Sequence, residues 1–308
     1  MITPVNAALS RRRFLSISAA TVAAGPALAT TQPSAKWQGR AMGAPAQMQI
    51  TGMDQTQAAP TFARIEAELE RLEQIFSLFH PQSQLARLNS TGQLAAPAPE
   101  LLDVLSLSAS LNAASEGAFD PTVQPVWQAL ALGQPADATS TGWRHLRFDS
   151  TEVRMLRPDM ALTLNGIAQG FITDRIADLL RAEGLRDVLL DMGEVAALGQ
   201  RPDGDDWQVG VIAPGGDLRH RLTLSDRALA TSAAAGTRVG AGSETGVGQS
   251  HILDPRTGHG ADLSRIASVS APRAALADGL STALCLVPSA DAARLVGQFP
   301  AARIEYLT

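Results

Sequence analysis

The 308-residue chain is 45% hydrophobic and 18% charged, a balance that excludes a disordered chain and fits one large domain or two small ones. A net charge of −5, aromatics at only 4% and no Lys/Arg run beyond residue 13 exclude a nucleic-acid partner. The single cysteine, Cys285, excludes an intramolecular disulfide and any thiolate metal cluster; within Ala283-Leu284-Cys285-Leu286-Val287 it reads as a small buried hydrophobe.

Residues 10–16 read Ser-Arg-Arg-Arg-Phe-Leu-Ser, and an apolar stretch over 17–28 ends at Ala27-Leu28-Ala29. A charged start, an apolar segment too short to span a bilayer stably and a small-residue cleavage site make a signal peptide over 1–29. The arginine pair ahead of Phe-Leu resembles a twin-arginine signal, with a Sec signal or a retained anchor as the alternatives. The expected location is periplasmic, with no transmembrane segment once the signal is removed. Residues 30–40 read as a linker and 41–308 as a single domain.

The first strand is expected over 41–52, where Met48 and Ile50 alternate with polar neighbours. Pro60-Thr61 opens a helix whose apolar face is Ile65, Leu69, Leu72, Phe76 and Phe79, and His80-Pro81 ends it. Ser83 caps a short helix over 84–88, a loop covers 91–99, and a second long helix covers 100–115. Residues 144–164 read as several strands, 171–183 as a helix stopped by Gly184, and 188–190, 207–212 and 221–224 as short strands. Helices over 274–286 and 290–298 complete the chain. Strands occur in clusters and outnumber helices, so the fold class is α+β, with mixed or antiparallel sheets and packed helices.

Four segments hold more polar and glycine signal than a core needs. In Gly117-Ala118-Phe119-Asp120-Pro121-Thr122-Val123, Asp120 either accepts from a ligand or caps a helix. In Leu162-Thr163-Leu164-Asn165-Gly166-Ile167-Ala168-Gln169-Gly170, a strand breaks into glycines before a helix whose N-terminus can meet phosphate. In Ser250-His251-Ile252-Leu253-Asp254-Pro255-Arg256-Thr257-Gly258, His251 either contacts a ligand or is a satisfied strand histidine. Residues 240–248 contain a G-x-G that no strand enters and no helix leaves, so they read as a flexible loop. In Ala277-Asp278-Gly279-Leu280-Ser281-Thr282-Ala283, Asp278 and Thr282 lie four apart on one helix face: two hard oxygens of the kind Mg²⁺ takes, or an ordinary helical pair.

In this order, these segments resemble the ApbE family of FAD:protein FMN transferases. The resemblance runs from about Met42 to Leu286 and also rests on Ala41-Met42-Gly43, on Phe76-Ser77 with 83–89, and on Ala230-Thr231-Ser232. It implies an ApbE-like (T-fold-like) architecture and transfer of FMN from FAD to a threonine of a client protein, with release of AMP. It implies that Asp278, Thr282 and a backbone carbonyl near Gly166 ligate Mg²⁺. It further implies that FAD lies against Met42, Asp120, Thr122, Gln169, Thr231, His251 and Ile252. His251 and Asp278 are the candidates for the base. Most members read Gly-Gly-Ile-Ala-Lys-Gly where this chain has Asn165-Gly166-Ile167-Ala168-Gln169-Gly170, so a flexible glycine and a positive charge are both replaced. That form, with the twin-arginine signal, resembles the subgroup accessory to nitrous-oxide respiration, whose implied client is a membrane flavoprotein feeding nitrous-oxide reductase. The alternatives to transfer are a periplasmic FAD carrier and a Mg²⁺-dependent FAD pyrophosphatase.

Overall fold

A computed structural model describes residues 32–240 and 248–308. The signal peptide over 1–29 and the body of the glycine loop at 241–247 lie outside the described residues. The chain opens on β1 (Ser34–Ala41) and β2 (Ala44–Thr51), a hairpin in full register. Met42 (φ 51°) and Gly43 (φ 79°) form its turn, the left-handed pair that a two-residue hairpin needs. The expected linker over 30–40 is therefore largely strand. Ala35, Trp37 and Ala41 point inward and Lys36, Gln38 and Arg40 outward, a period of two that the polar residues disguise.

α1 (Gln55–Phe76) begins earlier than Pro60-Thr61 suggests, because Asp54 and Gln57 cap each other's backbone N–H groups and Pro60 is accommodated inside the helix. Trp37 Nε1 bonds Glu66 at 3.0 Å and ties β1 to this helix. α2 (Gln84–Thr91), β3 (Gln93–Ala95), α3 (Pro99–Ala114) and α4 (Gln124–Ala131) follow. β4 (Leu146–Phe148) and β5 (Glu152–Met155) join β3 in a small sheet, whereas 160–164 is not a strand. After α5 (Ala168–Ala182) come β6 (Val188–Asp191), β7 (Val195–Leu198), the hairpin β8 (Trp207–Ile212) and β9 (Leu218–Leu224), and β10 (Arg227–Ala233). The short pair β11 (Arg238–Val239) and β12 (Gln249–Ser250) precedes β13 (Ile266–Ala271) and α6 (Ala274–Leu284). The last expected helix shortens to α7 (Ala292–Val296), and the chain ends in β14 (Arg303–Leu307).

The main sheet runs β1-β2-β6-β7-β10-β13-β14, and every neighbouring pair is antiparallel. It buries one face beneath the helices, with Ile65, Leu72, Phe76, Ile172, Leu180 and Leu280 in the core. The β8–β9 hairpin covers the other face, where Trp207, Val209 and Val211 meet Leu189, Val195 and Leu229. Burial on both faces explains why β7 and β10 escape a search for alternation, since VAAL and RALATSA have no clean polar face, while in IASVSA of β13 the alternating Ser268 and Ser270 are themselves fully buried.

Cys285 caps the end of α6, and burial pushes its thiol up to about 12. A thiol reagent at pH 8 is expected to leave the native protein unlabelled and to label it stoichiometrically once denatured; labelling of the native protein contradicts this burial.

Candidate active site

One cavity of about 830 Å³ opens between the edge of the main sheet and the helices, a volume within the range that organic ligands occupy. The geometry begins where α5 and α6 meet. Gly170 packs so tightly on the start of α6 that a Cβ there would lie 2.4 Å from the Ala274 carbonyl oxygen. Asp174, buried on α5, accepts the Ala274 and Ala275 N–H groups at 2.7 and 2.9 Å, while Arg273 stands 3.4 Å from the same carboxylate. α6 has no cap of its own, so a side chain a hundred residues away orders its first turn.

This clamp places Asp278 and Thr282 on the cavity wall. Asp278 Oδ2 accepts the Gly170 N–H at 3.1 Å, and burial pushes the carboxyl up to about 7. The expectation that the glycines before Phe171 offer free N–H groups to phosphate fails at Gly170. α5 starts at Ala168, and the Gly170 N–H is already committed to Asp278. Gly166 lies under Thr282, where a Cβ would come within 3.0 Å of the hydroxyl oxygen. A carboxylate, a hydroxyl and a glycine backbone side by side make a donor set suited to a hard cation. Among the described residues no three His, Cys, Asp or Glu side chains converge to hold a metal on their own. Any cation here must complete its shell with backbone, water or ligand oxygens.

Two acids that sequence reading missed share the cavity: Asp191 at the end of β6 and Glu194 in the turn to β7. Burial and the facing Asp278 and Asp191 carboxylates push Glu194 well above the usual carboxylate range, against the Thr231 N–H it accepts. Burial also raises Asp191, which bonds Gln47 at 3.3 Å. Among the described residues no lysine or arginine lines the cavity. With no fixed cation on this wall, a bound divalent cation is what would hold these raised carboxyls in their charged form. The signal in the sequence was Asp191-Met192-Gly193-Glu194 directly after a buried strand.

Gln169 lies across Gly193, whose φ of 107° and missing Cβ make room for the amide; a Cβ there would meet it at 2.6 Å. Asn165 is not in a left-handed conformation, so the position that is glycine in most of the resembled family needs no glycine here. Thr231, His251 and Ile252 line the cavity. His251 Nδ1 lies 3.0 Å from the Thr237 carbonyl oxygen; a carbonyl only accepts, so Nδ1 carries the proton. Burial lowers the His251 pKa, so the ring stays neutral with Nε2 as a proton acceptor.

Three expected ligand contacts are not on the cavity wall. Met42 is the hairpin turn and packs on the main core. Asp120 Oδ1 takes both the N–H and the hydroxyl of Thr122, and Oδ2 takes the Trp143 N–H at 3.0 Å. Thr122 in turn accepts the Gly142 N–H at 2.7 Å. Asp120 is therefore the cap of the 121–123 turn and a clasp on the following loop, the capping alternative. Phe79 lies beyond the end of α1, 55% exposed, at the cavity rim rather than in the helix's buried face.

A profile of the ApbE family matches residues 42–307. The chain belongs to the ApbE family. Among ApbE relatives, the FAD:protein FMN transferase of Salmonella typhimurium is 27% identical over 296 residues, 88% of this chain and 84% of its own. That of Vibrio cholerae is 29% identical over 244 residues, 72% of each chain. The flavin transferase ApbE from Vibrio cholerae superposes with a TM-score of 0.76, covering 89% of this chain and 97% of its own at 23% identity. The apo form of Pseudomonas stutzeri flavinyl transferase ApbE gives 0.73, covering 88% and 90% at 24%. The α+β fold with antiparallel sheets is thus the ApbE fold.

Proposed function

We propose that this chain is a Mg²⁺-dependent FAD:protein FMN transferase that modifies a threonine of a client protein. The observation that carries the reading is the Gly166–Asp278–Thr282 cradle on the acid-rich wall of a cavity that no lysine or arginine lines among the described residues. A diphosphate ligand would be repelled by that wall unless a divalent cation accompanied it. The names of the ApbE relatives support the same substrate.

Mg²⁺, when bound, neutralises charge on the diphosphate that is cleaved. Asp278 and Thr282 would hold it, with the Gly166 backbone alongside. Gln169, Thr231 and Ile252 then bound the space left for the flavin dinucleotide. Neutral His251 accepts, at Nε2, the proton of the incoming threonine hydroxyl. A bond forms between the threonine oxygen and the phosphorus of the FMN half, the bond to the AMP phosphate breaks, and AMP leaves. The Arg11-Arg12 signal and the Asn165-to-Gly170 form support export to the periplasm and a respiratory client that serves nitrous-oxide reductase.

The test is incubation with FAD, Mg²⁺ and a threonine-bearing fragment of such a client. In-gel flavin fluorescence on the fragment is the expected result. FAD held tightly without covalent transfer marks a carrier, the reading that Gln169 in place of lysine favours. FMN and AMP released without a client mark a pyrophosphatase.

A further inference from the structure

Behind Thr282 lies a chain of three hydroxyls whose proton direction the geometry settles. Ser281 Oγ is 3.0 Å from the Asp278 backbone carbonyl oxygen. A carbonyl cannot donate, so the single Ser281 proton is spent there. Ser232 Oγ, on β10, is 2.8 Å from Ser281 Oγ. Since Ser281 has no proton left, Ser232 must donate to it. Ser232 Oγ is also 3.3 Å from Thr282 Oγ1. With the Ser232 proton committed, Thr282 is the donor in that pair. The protons thus run from Thr282 through Ser232 and Ser281 to the Asp278 carbonyl, and no hydroxyl of the chain donates to Thr282 Oγ1. Ser281 is fully buried, so no water competes for its place in the chain. The 3.3 Å leg is the long one, and it is the one that tightens when a cation takes a Thr282 lone pair, because a coordinated hydroxyl is a stronger donor.

We propose that Ser232 is a positioning residue that, backed by Ser281, orients the Thr282 hydroxyl so that its oxygen and not its proton meets a divalent cation. This rests on the reading of Thr282 as a cation ligand. Outer partners of a metal ligand are worth about 10- to 100-fold in metal affinity. The variants respond in a characteristic way. In Ser281→Ala the Ser232 proton loses its acceptor and turns onto Thr282, into a lone pair the cation needs. In Ser232→Ala the Thr282 proton loses its acceptor and the hydroxyl rotates freely. Ser232→Thr keeps a hydroxyl at the same place.

The experiment is Mn²⁺ binding, followed by electron paramagnetic resonance with the metal alone, on full-length protein whose melting temperature is recorded alongside. Ser281→Ala and Ser232→Ala are each expected to weaken Mn²⁺ about tenfold, and Ser232→Thr to restore most of it. Thr282→Val is expected to weaken Mn²⁺ by itself and to abolish any further effect of Ser281→Ala, a coupling that a purely structural role of the serine does not produce. A Ser281→Ala effect of equal size with and without the Thr282 hydroxyl overturns the proposal, as does wild-type affinity in both serine variants. If Thr282→Val binds Mn²⁺ like the parent, the ligand reading itself fails, and the orientation proposal falls with it.

Discussion

Asp278→Asn is expected to lower flavin transfer at least about 10³-fold while leaving the melting temperature unchanged or slightly raised. Asp278 is the one carboxylate in the cradle, and its interaction with a divalent cation contributes several kcal/mol, about tenfold in rate for each 1.4 kcal/mol. The asparagine keeps an oxygen to accept the Gly170 N–H, so the joint between α5 and α6 survives. What disappears is a buried negative charge facing Glu194, which the fold tolerates only at a cost. Functional sites are where such costs are carried, and neutralising them relieves the fold. Transfer assayed against Mg²⁺ concentration, with a thermal melt of each protein, is the measurement. Wild-type Mg²⁺-dependent transfer by Asp278→Asn removes the metal assignment.

Gly170→Ala should act in the opposite sense, through the scaffold. The added methyl meets the Ala274 carbonyl oxygen at 2.4 Å, its carbon at 2.6 Å and the Ala275 Cα at 2.7 Å. All three are backbone atoms at the capped start of α6, which cannot swing aside as a side-chain tip does. The two helices must separate, at a cost of about 1–3 kcal/mol. For a domain of this size the melting temperature then falls by roughly 2–10 °C. Separation also pulls Asp278 from the Gly170 N–H, so Mg²⁺ dependence weakens along with stability. Gly215→Ala is the control: it lies in open space at the β8–β9 turn, and its melting temperature is expected to stay within about 1 °C. Equal melting of the two variants contradicts the tight contact between α5 and α6.

Several features of the site were legible in the residues alone. The four-residue spacing of Asp278 and Thr282 is a statement about one helix, and helical periodicity is local, so both were correctly placed on a common face. The amphipathic stripe Ile65, Leu69, Leu72 and Phe76 gave away α1 for the same reason. The ordered motifs from Met42 onward pointed to the ApbE family before any strand was paired.

Other features depend on residues far apart in the chain. Asp120 had two chemically sensible roles, and only the arrival of the 141–143 loop, with its Trp143 N–H, committed both oxygens to the cap. Asp174 looked like any helical carboxylate until α6 docked its bare N-terminus on it. Asp191 and Glu194 come from one edge of a sheet turn and Asp278 from a helix more than eighty residues later, so their mutual repulsion exists only after the sheet has assembled. β7 and β10 carry no alternating pattern because both faces of the sheet are covered. Spacing along the chain thus determined which oxygen donors travel together on one helix. Long-range packing decided which charges face them, which N–H groups are already spent, and where the cavity lies, because burial and electrostatic coupling are properties of neighbours in space and not in sequence.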